Sequence, residues 1–143
     1  MKRIRCYLAG SFTAFEGYAD WRDYVKEKVS GMDFYDPRTD TNQGSIATFV
    51  YQDLSGVDGC DVVFYFVTNS GDVGASIECE RGNSRNKIVV LCVKEGVGIV
   101  HPFLIGISRR MFIGIEVGAK YLSNLSECGL DKEFDAIYKT MRG

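Results

Sequence analysis

Two apolar runs, DVVFYFV at 61–67 and IVVLCV at 88–93, flank a segment that opens Asn69-Ser70-Gly71-Asp72 and continues with helical composition. Short, β-branched and aromatic runs of this kind suit strands buried on both faces of a sheet. Strand, Gly-rich turn, helix and strand make a βαβ unit. Ligands of such sheets bind outside the carboxyl ends of the strands. The turn at 70–74 lies at one such end, carries Asp72, and is followed by Glu78 in the first turns of the helix.

The remainder of the chain continues the alternation. A first strand is expected at Arg3–Ala9, ending at Gly10-Ser11-Phe12, where glycine allows close approach of backbone to ligand. Phe15–Val29 carries apolar residues at helical spacing, and Met32–Tyr35 reads as a short second strand stopped by Asp36-Pro37-Arg38, with a loop running on through Gly44. A helix over Ser45–Val57 presents Ile46, Phe49, Val50, Leu54 and Val57 on one face. After the central unit come a loop at Lys94–Gly98, a short helix at His101–Ser108, a fifth strand at Met111–Ile115, and helices at Glu116–Leu125 and Asp131–Met141. This pattern predicts a single α/β domain over 1–143: a doubly wound, five-stranded parallel sheet in the order 2-1-3-4-5.

Composition narrows the partners. A formal net charge of −2 gives no basic field for a nucleic acid polymer or an anionic membrane. No apolar run is long enough to span a bilayer, and the apolar stretch after the basic start is too short for a signal peptide. Five cysteines without a C-x-x-C pair, and one histidine, make a poor zinc set. The expectation is a cytoplasmic protein with reduced thiols and no metal or cofactor.

The acidic residues carry the chemistry. Asp53 falls seven residues after Ile46, on the apolar face of its helix, where a carboxylate is costly unless something pairs with it. Its alternative is a partly solvated place at the edge of the stripe. Asp72 precedes a helix, where aspartate often caps free N–H groups. Successive helical residues rotate by about 100°, so Glu78 and Glu80 point to nearly opposite sides. With Ile77 expected to face the sheet, Glu78 is the site candidate and Glu80 the solvated one, beside Arg81. The alternative for Glu78 is an acid that favours the helix dipole. Three converging acids without a histidine or thiol base suit glycosyl transfer or a hard-cation site. Tyr7 reads by default as core, and His101 as a surface or packing histidine. The Gly-rich turn lacks both the P-loop Lys-Ser/Thr and G-x-G-x-x-G.

In order and spacing these segments resemble the nucleoside 2-deoxyribosyltransferase family and its N-glycosidase relatives. Tyr7-Leu8-Ala9-Gly10-Ser11-Phe12 is similar to the family's Y-x-A-G-P-F, and Phe34-Tyr35-Asp36-Pro37-Arg38 resembles the segment after its second strand. Asp53-Leu54 with Cys60-Asp61-Val62-Val63 resembles D-L-x-x-I…D-x-V-V, Asp72–Glu78 resembles D-x-G-T-x-x-E, and Asn86-Lys87 falls where the family has Gly-Lys. The resemblance implies that Glu78 is a nucleophile attacking the anomeric carbon, that Asp72 and Asp53 hold or protonate the leaving base, and that Tyr7 orients Glu78. It places Gly10, Ser11, Phe12, Arg38, Asp53, Gly74, His101 and Phe103 among the substrate-binding residues. It also implies nucleosides and nucleobases as partners, and a homo-oligomer with sites near subunit interfaces.

The expected activity is transfer of a 2-deoxyribosyl group between nucleobases. The alternatives are an N-glycosidase acting on nucleosides or their 5′-monophosphates, and a non-catalytic nucleotide-binding or sensing module. Several residues depart from the family pattern. Ala75 stands for the usual Thr, and Glu78-Cys79-Glu80-Arg81 for E-x-G-x-A, which predicts different packing of the helix. Ser11 for Pro is similar to the 5′-monophosphate branch, whereas Asp72, where phosphate-binding relatives tend to carry Ser, would repel a phosphate. His101-Pro102-Phe103 lies near where transferases often supply an Asn and a hydrophobe to a neighbouring subunit.

Overall fold

A computed structural model describes residues 3–69 and 72–133. Five strands form one sheet: β1 (Arg5–Ala9), β2 (Asp33–Tyr35), β3 (Val62–Val67), β4 (Ile88–Val93) and β5 (Arg110–Ile113). They lie in the order β2-β1-β3-β4-β5, with every pairing parallel. The helices are α1 (Trp21–Lys28), α2 (Pro37–Asp40), α3 (Ile46–Asp58), α4 (Val73–Ser84), α5 (Pro102–Ile107) and α6 (Ile115–Cys128).

The central strands are buried along their whole length, so they read as continuous apolar runs, and their two-residue period divides them between two cores. Cys6, Leu8, Phe64, Phe66, Val90 and Cys92 meet Trp21 and Val25 of α1 and Ala119 and Leu122 of α6. On the other face Tyr7, Val63, Tyr65, Val89 and Leu91 meet Val57 of α3 and Ala75 and Cys79 of α4. Two helical glycines set how closely the layers approach. A Cβ on Gly82 would lie 2.7 Å from Val63 Cγ2, and one on Gly118 would lie 2.7 Å from Cys92 Sγ. Either contact would force a helix off the sheet.

Most expected elements form within one or two residues of their predicted limits. Four expectations are corrected. The helix predicted over 15–29 begins at Trp21, because the Asp20 carboxylate accepts from Arg22 N and caps it there. Phe15 and Tyr18 instead exchange backbone hydrogen bonds in a tight turn and pack their rings on Tyr24. Pro37 does not simply end β2. It occupies the first turn of α2, with Asp36 accepting from Arg38 N. On α3 only Val57 of the predicted stripe is buried, and Ile46 and Val50 are exposed. Ile77 is likewise exposed; Ala75, Cys79 and Gly82 are the buried face of α4. The last predicted helix, 131–141, falls mostly outside the described residues. Among the described residues no helix is long and apolar enough to cross a membrane.

Candidate active site

The site forms where β1 and β3 end and the chain order of the sheet reverses. Gly10 takes φ +136, a conformation L side chains rarely adopt, and a Cβ there would lie 2.8 Å from the Phe66 carbonyl. The chain thereby passes tightly over the end of β3 and presents Ser11 and Phe12 to the cavity. From the other side α4 enters with Asp72 at its N-cap. Asp72 Oδ1 accepts from Ala75 N at 2.9 Å, and Oδ2 accepts from the Ser11 hydroxyl at 2.9 Å. Asp72 therefore caps the helix and also faces the pocket.

Two helical turns along, Glu78 projects toward β1, where the fully buried Tyr7 donates its phenol proton to Glu78 Oε2. Burial pushes the Glu78 carboxyl up to about 7, against the stabilising Tyr7 hydrogen bond, and the neighbouring charges of Asp53 and Asp72 push in the same direction as burial. Burial and the adjacent carboxylate hold the Tyr7 phenol far above its ordinary range, so it remains a donor. Asp53 comes in from α3, accepting from the Thr41 hydroxyl at 2.7 Å. Its carboxyl is raised by burial, with the Thr41 bond and the positive charge of Arg22 opposing.

These groups converge on one open cavity of about 400 Å³. Gly10, Ser11, Phe12, Asp53, Asp72, Gly74 and Glu78 all line it, with Tyr7 beneath Glu78. Three other sequence candidates lie elsewhere. Arg38 is bound to Asp36 Oδ2 at 2.6 Å and Asp23 Oδ1 at 2.7 Å and does not line the cavity. Its partners explain the difference: the network of Asp20, Asp23 and Asp36 captures the guanidinium before it can reach the cavity. His101 and Phe103 line a different, mainly apolar groove of about 770 Å³ under α5. His101 Nδ1 there accepts from Phe103 N and caps α5. Among the described residues no group of three or more His, Cys, Asp or Glu side chains is arranged to hold a metal ion.

The cavity is also lined by residues that the sequence did not mark as part of a site. Arg22 lines it although its side chain is almost wholly buried. Its Nε donates to Leu8 O at 3.1 Å, Nη2 to Gly10 O at 2.5 Å, and Nη1 to both oxygens of Asp20. It thus satisfies carbonyls left at the end of β1. The signal was available: Arg22 stands three residues before Val25 and seven before Val29, on the apolar face, as Asp53 does on α3. Gln43 and Phe49 also face the cavity, with Gln43 Nε2 anchored on Pro37 O at 2.7 Å. Gln43 comes from a polar loop where no local pattern distinguishes it, whereas Phe49 stands four residues before Asp53, on the helix face that also carries Asp53.

No protein-family model matches the chain, and no curated protein does. Among solved structures, the chain is similar to the CMP N-glycosidase BcmB of Clostridium botulinum, with a TM-score of 0.53 and 19% identity over 85% of this chain and 97% of that one. At that identity the likeness is one of fold, and the shared architecture is the five-stranded parallel α/β sheet in the order 2-1-3-4-5.

Proposed function

We propose that the protein breaks the N-glycosidic bond of a nucleoside or nucleotide, with Glu78 as the attacking carboxylate. The observation that carries this reading is the Tyr7–Glu78 hydrogen bond beneath a cavity that Asp53 and Asp72 also line. Tyr7 occupies one Glu78 oxygen and leaves the other for the anomeric carbon. Glu78 forms a C1′–O bond as the C1′–N bond breaks, and the electron pair leaves with the base. Asp53 or Asp72 hydrogen-bonds that base or supplies the proton it needs. A second base or water then displaces Glu78, so the configuration at C1′ is retained over the two steps. Resolution by a base is 2-deoxyribosyl transfer, the outcome implied by the sequence resemblance. Resolution by water is N-glycosidase activity, the chemistry named for the structural neighbour.

A nucleoside fits the electrostatics of the pocket better than its 5′-monophosphate. Asp72 holds the Ser11 hydroxyl, and Arg22, the one cation among the described lining residues, is already bound to Asp20 and two carbonyls. A phosphate would meet the charge of Asp72 with no uncommitted cation among the described lining residues. Nucleosides and nucleobases are therefore the proposed small-molecule partners. A second copy of the chain on the apolar groove would place its side chains near Asp72, which borders both cavities.

The test is incubation of purified protein with deoxyinosine and adenine. Deoxyadenosine formation supports transfer, and hypoxanthine with free sugar supports hydrolysis. A ligand-induced rise in melting temperature without either product, with CMP also left intact, leaves a binding or sensing module and rejects the enzymatic reading.

A further inference from the structure

Asp53 is held by a chain of hydroxyl groups that begins on β2. The Tyr35 hydroxyl lies 2.6 Å from Thr41 Oγ1, and Thr41 Oγ1 lies 2.7 Å from Asp53 Oδ1. An ionised carboxylate only accepts, so the single Thr41 proton goes to Asp53, and Tyr35 must donate to Thr41. The carbonyls of Asp40 and Gln52, each 3.3 Å from the Tyr35 hydroxyl, are weaker acceptors for that proton. Thr41 is buried at the end of α2, so water does not readily replace it.

The same Tyr35 ring is stacked on Tyr7, with centroids 5.2 Å apart and planes 12° from parallel. Against this ring α3 has Gly56, where a Cβ would lie 2.8 Å from two ring carbons. The ring is thus fitted between the tyrosine that holds Glu78 and the helix that carries Asp53. Both carboxylates take their positions from one pair of stacked phenols.

We infer that Tyr35 and Thr41 are positioning residues for Asp53: they fix its carboxylate toward the cavity and favour its ionised form. The inference rests on the reading of Asp53 as a group that holds the leaving base. Neither residue lines the cavity, so their effect on substrate passes through Asp53. Losing a donor to the ionised form disfavours that form, so the Asp53 midpoint moves up when the chain is cut.

The experiment is a carbon-13 carboxyl titration of Asp53, its signal assigned with Asp53→Asn, in wild type, Thr41→Val, Thr41→Ser and Tyr35→Phe. A hydrogen bond to a charged group corresponds to a rise of about one pH unit in Thr41→Val. Thr41→Ser, which keeps the hydroxyl, returns to the wild-type midpoint, and Tyr35→Phe moves it in the same direction by less. An unmoved midpoint in folded Thr41→Val overturns the inference. If that variant does not fold, an unmoved midpoint in Tyr35→Phe overturns it instead. Parallel assays separate the two readings. With a nucleoside substrate, kcat/KM falls about tenfold in Thr41→Val and recovers in Thr41→Ser. If wild type turns over no nucleoside or nucleotide while the Asp53 midpoint still moves, the hold on Asp53 stands and the N-glycosidic reading falls.

Discussion

The pocket that contains Glu78 and the groove that contains His101 share α4 and Asp72, but they differ in almost every other respect. Gly74, Ala75 and Glu78 face the first, whereas Val73, Ser76, Ile77 and Glu80 face the second. The first gathers three carboxylates around a buried phenol. The second is larger and mainly apolar, with Val73, Ile77, Ile99 and Phe103 exposed. A single helix with 3.6 residues per turn divides a reactive cavity from an apolar surface. Two glutamates two residues apart consequently live in different solvents: Glu78 is pushed up to about 7, and Glu80 stands exposed.

The largest expected effect breaks this comparison at its centre. Glu78→Gln removes the attacking carboxylate and should lower turnover by about four orders of magnitude or more, while Glu80→Gln should retain most of it. Similar losses in both variants would mean that the two faces of α4 are not functionally distinct. The same substitution has a stability signature. The folded-state carboxyl is raised from its ordinary value to about 7, so the folded state holds that proton more tightly than the unfolded chain. Its stabilising share is complete below the ordinary glutamate range and lost as pH rises to about 7. Glu78→Gln should therefore raise stability at pH 8, by on the order of 3 kcal/mol at most, and leave it nearly unchanged at pH 4. Denaturant melts at the two pH values measure this.

Tyr7→Phe sharpens the account of the polar pocket. The lost phenol bond had favoured ionised Glu78, so the carboxyl rises further and the ascending limb of kcat/KM against pH moves above its wild-type position near 7. Turnover at neutral pH should fall roughly 10- to 100-fold. A limb that stays in place would separate Tyr7 from Glu78 ionisation.

Asp72, on the shared wall, should show both of its structural roles. Asp72→Ala removes an N-cap worth about 1 kcal/mol and a pocket carboxylate, so kcat/KM per folded molecule should fall about tenfold or more. A stability loss with unchanged activity would leave only the cap. The charge of Asp72 also leads us to expect at least a roughly tenfold preference for a 2′-deoxynucleoside over its 5′-monophosphate, or about 1.4 kcal/mol. Faster base release from the monophosphate would remove repulsion by Asp72 from the account of this pocket.

The smallest effect belongs to the apolar groove. Phe103→Ser leaves every group of the polar pocket in place and should change kcat/KM by less than about threefold if the two cavities act separately. A larger loss, together with a smaller assembly in sedimentation, would mean that a second copy on the groove completes the site.

Much of this molecule was legible as pattern. The runs at 61–67 and 88–93 are buried on both faces and could be little else than central parallel strands, and Gly10, Asp72 and Glu78 sit where the strand ends of such a sheet place them. Periodicity works there because the nearest neighbours along the chain set the geometry. It also contained the signal for Arg22, as it did for Asp53, because a charge on an apolar helix face must find partners.

Only the tertiary structure decided which partners each side chain met. Ile77 looked like the sheet-facing residue of α4, but Gly82 fits against Val63 and turns Ala75 and Cys79 inward instead. Arg38 occupied a matching segment, yet Asp36 beside it and Asp20 and Asp23 at the start of α1 engage its guanidinium instead. The stack of Tyr35 on Tyr7 depends on the parallel register that sets them side by side, and on a missing side chain at Gly56. Local sequence determined the strands, the turns and the order of the acids. Capture of one side chain by another, across loops and layers, depends on distances that no local pattern contains.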